Sequence, residues 1–157
     1  MLTFTQIAEA KFSTNFKAKI LQVYALFPEL TGHEVKCGYI HRGSWVIGTA
    51  RAWLAPKQIS LQPNAGCLTI AHELTHLLQG SDNGVPHGEK ACDIWAIVRL
   101  PVAMLDEKPY YLLRHWQWDR WLRNRISAKA LCEQAIEVRK IERNYIKWLS
   151  EELRHLK

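Results

Sequence analysis

Residues 65–79 restrict this chain more than any other stretch. Cys67, Ile70, Ala71, Leu74, Leu77 and Leu78 recur there at three- and four-residue steps. At about 100° per residue they form one apolar stripe on a helix. His72 and His76 fall on the opposite side, with Thr69 and Gln79. A core histidine would sit inside the stripe; these two sit where a cleft could open. Asn64 can cap the helix and Gly80 can end it.

The flanking elements follow from periodicity and punctuation. Phe16, Ile20, Val23 and Phe27 predict a helix over residues 15–30. Residues 34–41 and 44–54 read as strands joined at Arg42-Gly43, and residues 58–62 as a short third strand. A second helix should follow Gly88 and stop near Leu100, because Pro101 cannot continue it. Pro109 suits the first turn of a third helix reaching about Arg125, and Ser127 can cap a last one running close to the C-terminus. The pattern is α+β: a small, mainly antiparallel N-terminal sheet, the histidine-bearing helix, a glutamate-bearing second helix and a helical C-terminal half. A single domain accommodates the 157 residues, with 1–62 supplying helix and sheet, 65–100 the paired helices and 109–157 the C-terminal helices.

Hydrophobic residues make up 48% of the chain and charged ones 23%, which fits a packed globular protein and excludes a disordered one. Glu9 and Lys11 break the apolar run that a signal peptide needs, and no segment approaches the roughly 20 apolar residues of a membrane span. These features predict a cytoplasmic protein. Cys37, Cys67, Cys92 and Cys132 stand singly, without a CxxC pair, which argues against a zinc ribbon and a disulfide framework. The net charge of +6 favours acidic partners but is modest for a dedicated nucleic-acid binder.

The chemistry is concentrated in His72-Glu73-Leu74-Thr75-His76, an HExxH motif. Residues four apart on a helix differ by about 40° around the axis, so the two imidazoles project together and can reach one zinc ion. Glu73, displaced by about 100° from His72, flanks that ion as a candidate general base. Catalytic zinc normally has three protein ligands. Three residues downstream could complete the set: Glu89, which shares a helix face with Asp93; His87, in the loop before it; and Asp82, although Gln79 stands where an HExxHxxGxxD site would need glycine.

The HExxH segment followed by Gly88-Glu89-Lys90-Ala91-Cys92-Asp93-Ile94 resembles the gluzincin pattern of the thermolysin-like clan, in which Glu-x-x-x-Asp lies on the helix after HExxH. The resemblance covers about residues 49–100, and the short connection makes the chain similar in size to the minigluzincins. It implies a zinc metallopeptidase with Glu89 as third ligand and Asp93 as the carboxylate orienting a ligand histidine, His72. It further implies that the strand pair near residues 49–53 and 58–61 carries an edge strand to which extended substrate pairs. A competing resemblance, to SprT-like metalloproteases, rests on Pro86-His87-Gly88 and implies His87 as third ligand and a link to DNA.

The expected function is therefore hydrolysis of peptide bonds by zinc-activated water, with Glu73 as base and one zinc per chain. Tyr110, Tyr111 and His115 are candidates to assist at the oxyanion. A non-catalytic zinc or binding protein is the reading from a different class. Arg114, Trp116, Trp118, Arg120, Trp121 and Arg123 could contact nucleic acid, but a helix packing its tryptophans and wetting its arginines is the plainer account. The apolar positions after residue 128 predict packing along the body or self-association, and the resemblance to the minigluzincins implies a third role, an autoinhibitory cover for the cleft.

Overall fold

The structure, a computed structural model, describes residues 1–79 and 84–156. The chain opens with strand β1 (Leu2–Phe4) and helices α1 (Gln6–Lys11) and α2 (Thr14–Tyr24). The helices are capped by Thr5 and Ser13, whose side chains accept from the backbone N–H groups of Ala8 and Phe16. The helix expected over 15–30 stops at Tyr24, and Pro28–Leu30 forms a separate 3-10 turn. Strands β2 (Val35–Tyr39), β3 (Gly48–Arg51) and β4 (Lys57–Leu61) follow, then α3 (Cys67–His76) and α4 (Glu89–Arg99). The C-terminal half is α5 (Trp118–Val138) and α6 (Tyr145–Arg154).

The α+β class holds, but the sheet corrects the expected strand directions. Its order is β1-β2-β4-β3, with β1–β2 and β2–β4 parallel and only β3–β4 antiparallel. Two features produce the mixture. The short β1 reaches β2 through the crossover of α1 and α2, which enforces parallel pairing. The hairpin turn lies after β3, within residues 52–56, and not at Arg42-Gly43. Residues 41–47 form a loop instead, anchored by Gln62, whose Nε2 donates to the carbonyls of Ser44 (2.9 Å) and Val46 (2.8 Å). The hairpin places β3 at the sheet edge, beside α3.

Helix α3 runs through the middle of the molecule. Ile70, Ala71 and Leu74 pack into a core shared with Ile20 and Val23 of α2, Ile59 and Leu61 of β4, and Ile94 and Ile97 of α4. Its start is capped from a distance, not by Asn64. Asp106 accepts from the N–H groups of Cys67 and Leu68, and Glu107 from those of Gly66 and Thr69. Two carboxylates at a helix N-terminus satisfy orphan donors and complement the dipole. Gly80, the expected helix end, lies outside the described residues.

The C-terminal half departs further from expectation. Residues 110–116 turn instead of forming a helix from Pro109, because Lys108 Nζ gathers the carbonyls of Leu113, Arg114 and Trp116 at 3.3, 3.2 and 2.8 Å. Ser127 lies inside α5 and starts nothing. The chain bends at 139–144, and α6 folds back on α5 through Tyr145, Leu149 and Leu153. Among the described residues, no helix is long and apolar enough to cross a membrane.

Candidate metal centre

Helices α3 and α4 bring together the residues singled out from HExxH and Glu-x-x-x-Asp. His72 Nε2, His76 Nε2 and Glu89 Oε2 form a triangle with sides of 3.1, 3.0 and 3.3 Å. Four-coordinate zinc with bonds of about 2.0–2.1 Å sets its ligands about 3.3 Å apart. The side lengths therefore fit such an ion.

The protons argue more strongly than the distances. His72 Nδ1 lies 2.8 Å from Asp93 Oδ1, so that nitrogen carries the hydrogen and donates it. His76 Nδ1 lies 2.8 Å from Gln79 Oε1. The orientation of Gln79 is set by its Nε2, which donates to the carbonyls of Pro86 (2.7 Å) and Gly88 (3.1 Å). Gln79 Oε1 must then accept, and His76 Nδ1 must donate. Both Nε2 atoms are left with lone pairs, aimed at a carboxylate oxygen. Three acceptors converge with no hydrogen between them, an arrangement that demands a cation, either a proton or a metal ion. The same field acts on the His72 imidazole: burial alone would lower its pKa, but the hydrogen bond and charge of Asp93, with Glu73 and Glu89, raise it.

Asp93 is buried, and its second oxygen accepts from the backbone N–H groups of Tyr111 (2.8 Å) and Leu112 (2.7 Å). The turn after Pro109 thus locks the carboxylate that orients His72. The Tyr111 ring stacks on the His72 imidazole, with centroids 5.6 Å apart. Gly88 begins α4 with φ at 110°, a conformation that a side chain strains; it turns the chain so that Glu89 faces α3.

Glu73 is buried beside the triangle, and desolvation raises its carboxyl to about 7 despite the opposing pull of His72. Among the described residues its carboxylate makes no hydrogen bond. Gly48 of β3 shapes its berth: a Cβ there would stand 2.7 Å from Glu73 Cγ and Oε1. The cleft over these groups has a volume of about 920 Å³. One wall is β3 with the exposed Trp45 and Trp53, and the other is Tyr110 and Tyr111.

The remaining candidates divide. His87 lines the cleft but makes no hydrogen bond to the triangle. Asp82 lies outside the described residues. His115 lines a different cavity, and among the described residues none after Tyr111 lines the metal cleft, so α6 does not cover it. Cys92, which the sequence reading treated only as one of four single cysteines, joins His72 and His76 in a group whose ligand atoms lie within 4.8 Å of one another. A metal ion could therefore be held with either Glu89 or Cys92 as the third donor. The Cys92 Sγ lies 3.3 Å from His76 Nδ1, on the side of the ring away from the triangle. Burial, then the charges of Glu89 and Asp93, push its thiol pKa far up and keep it protonated. The hold of Gln79 on His76 also escaped the sequence reading, as did the Tyr111 contacts to Asp93 and His72, Tyr111 having been singled out only as an oxyanion candidate. The offset of Gln79, three residues beyond His76, is the one signal that would have found it. A comparison with protein-family models, curated proteins and solved structures finds no match for this chain.

Proposed function

We propose that this protein is a zinc-dependent metallopeptidase in which His72, His76 and Glu89 hold the metal and Glu73 is the general base. The observation that carries the reading is the convergence of three potential ligand atoms at 3.0–3.3 Å, beside a buried carboxylate that makes no hydrogen bond among the described residues. A purely structural metal site needs no such base. His72, His76 and Glu89 would hold the zinc ion, which would supply Lewis acidity to a water and to the carbonyl under attack. Glu73, near neutrality and shielded from bulk solvent, accepts a proton from the attacking water and returns it to the leaving nitrogen. Asp93 and Gln79 keep both imidazoles in the tautomer that exposes Nε2. Strand β3 has one unpaired edge along the cleft, suited to an extended peptide backbone.

Elemental analysis of purified protein tests the metal first. Wild type should carry one zinc per chain, Cys92→Ser should keep it, and Glu89→Ala should lose most of it. Glu73→Gln should retain zinc while cleavage of a quenched-fluorescent peptide library falls by about 10²–10⁴. Zinc lost in Cys92→Ser but kept in Glu89→Ala would overturn the proposal and favour a His-His-Cys site without catalysis. A Glu73→Gln variant as active as wild type would remove the assigned base.

A further inference from the structure

A second cavity, of about 910 Å³, adjoins the metal cleft. It shares Glu89, Tyr110 and Tyr111 with that cleft, so a ligand leaving the metal site along this wall enters it. Leu113, Trp116 and Leu153 give it an apolar lining, all three buried. Its polar lining is strongly one-sided: Lys90, Arg114, Arg120 and Arg154 are all cations. Among the described residues Glu89 is the one carboxylate that lines the cavity, and its Oε2 is turned toward His72 and His76.

None of the four cations is ion-paired among the described residues. Elsewhere the chain does pair its charges where they matter, as with Arg99 and Glu29. Arg120 is also held in place. Its guanidinium lies 4.5 Å over the Trp116 ring, and Nη2 donates to the carbonyl of Leu156 at 2.7 Å. Its Nε is buried without a hydrogen-bond partner among the described residues. The buried Nε is out of a ligand's reach, but the guanidinium that lines the cavity is held by Trp116 and the Leu156 carbonyl, and carboxylate is the group such a fixed planar cation matches. An apolar floor beneath a cationic rim suits a side chain with a short methylene stem and an anionic head.

We infer that this cavity receives an acidic side chain, glutamate or aspartate, of the peptide acted on at the neighbouring metal site. The inference rests on the peptidase reading for its ligand class and adds a specificity determinant to it. Arg120 supplies the preorganised contact, and Arg114 and Arg154 supply field and further ion pairs at the rim. Continuity with the metal cleft favours peptide over nucleic acid, whose backbone needs an extended basic track and not a single pocket with an apolar floor.

Direct binding tests this without turnover. Zinc-loaded full-length protein carrying Glu73→Gln would be titrated into three fluorescein-labelled probes and followed by anisotropy. The probes are a glutamate-rich octapeptide, its glutamine counterpart and a single-stranded oligodeoxynucleotide of equal charge. The glutamate peptide should bind at least tenfold more tightly than the glutamine one. Arg114→Gln and Arg154→Gln, both at exposed positions, should each reduce that ratio severalfold, and together abolish it. Equal affinity for the two peptides, or a preference that survives both substitutions, overturns the inference. Tighter binding of the oligonucleotide than of the glutamate peptide overturns it in favour of nucleic acid. If no peptide is ever cleaved by wild type yet the glutamate preference and its loss hold, the hydrolase reading fails and the assignment of this cavity stands.

Discussion

His72 and His76 stand one helical turn apart, yet the two sides of the donor triangle are held by opposite means. On the His72 side the orienting group is a buried carboxylate, Asp93, drawn from α4 and locked by two backbone N–H groups of a turn eighteen and nineteen residues beyond it. On the His76 side it is a neutral carboxamide, Gln79, three residues along the same segment and tied to two loop carbonyls. One clamp is charged and depends on the whole fold; the other is neutral and local. The difference teaches that a single tautomer can be imposed by very different physical routes. It also means that the two should fail differently.

The largest effect is expected from Asp93→Ala, which leaves three donors, one buried and two part-buried, without their acceptor. Stability should drop by about 3 kcal/mol in denaturant unfolding, and zinc affinity by about 10–100-fold in chelator competition. Gln79→Ala should cost less: about tenfold in zinc affinity and about 1 kcal/mol in stability, by the same two assays. A Gln79→Ala variant that loses more of either quantity than Asp93→Ala would break the comparison.

Glu73 sharpens it from a third direction, because neither kind of clamp holds it and only Gly48 leaves it room. Gly48→Ala should force the carboxylate aside at a cost of about 1–2 kcal/mol. Peptide cleavage should fall about tenfold at unchanged zinc stoichiometry. Loss of zinc together with activity would mean that Gly48 supports the metal helix as a whole.

The smallest effect concerns a charged clamp nearer solvent. Arg99, at the far end of α4, grips Glu29 through both nitrogens at 2.7 and 2.9 Å. Its hydrogen bonds hold the Glu29 carboxyl below the ordinary value of 4.5, against the upward push of burial. Because the folded-state value is lowered, the contribution is fully present above 4.5 and is lost as pH falls through the lowered value. Glu29→Gln should therefore cost about 1 kcal/mol near neutrality, and the variant and wild type should converge in acid. A difference that persists unchanged at low pH would show that shape, not charge, carries the contact.

These contrasts mark how far the chain could be read before folding. The apolar stripe of α3, its two histidines and the stop of α4 near Leu100 follow from local rules, since a helix fixes its own angular relations. The bound between α5 and α6 did not, because Ser127 is as acceptable inside a helix as at its start. Nor did the turn at 110–116, which exists because Lys108 and Asp93 draw its backbone groups away from helical partners. Sheet direction was equally hidden: the β3 hairpin could close before or after that strand, and pairing energy between distant segments decided it.

By itself, then, the sequence determined that a helix would present His72 and His76 on one face with Glu73 beside them, because 3.6 residues per turn leave no alternative. Tertiary structure decided everything that depends on approach between segments. It set Glu89 3.0 Å from His72 Nε2, turned Gln79 onto His76, seated Gly48 against Glu73, and gathered four cations around a cavity next to the metal site. The physical reason is common to all of them. Angular position along one helix is a property of the local backbone, whereas the distance between two elements is set by how their buried faces pack.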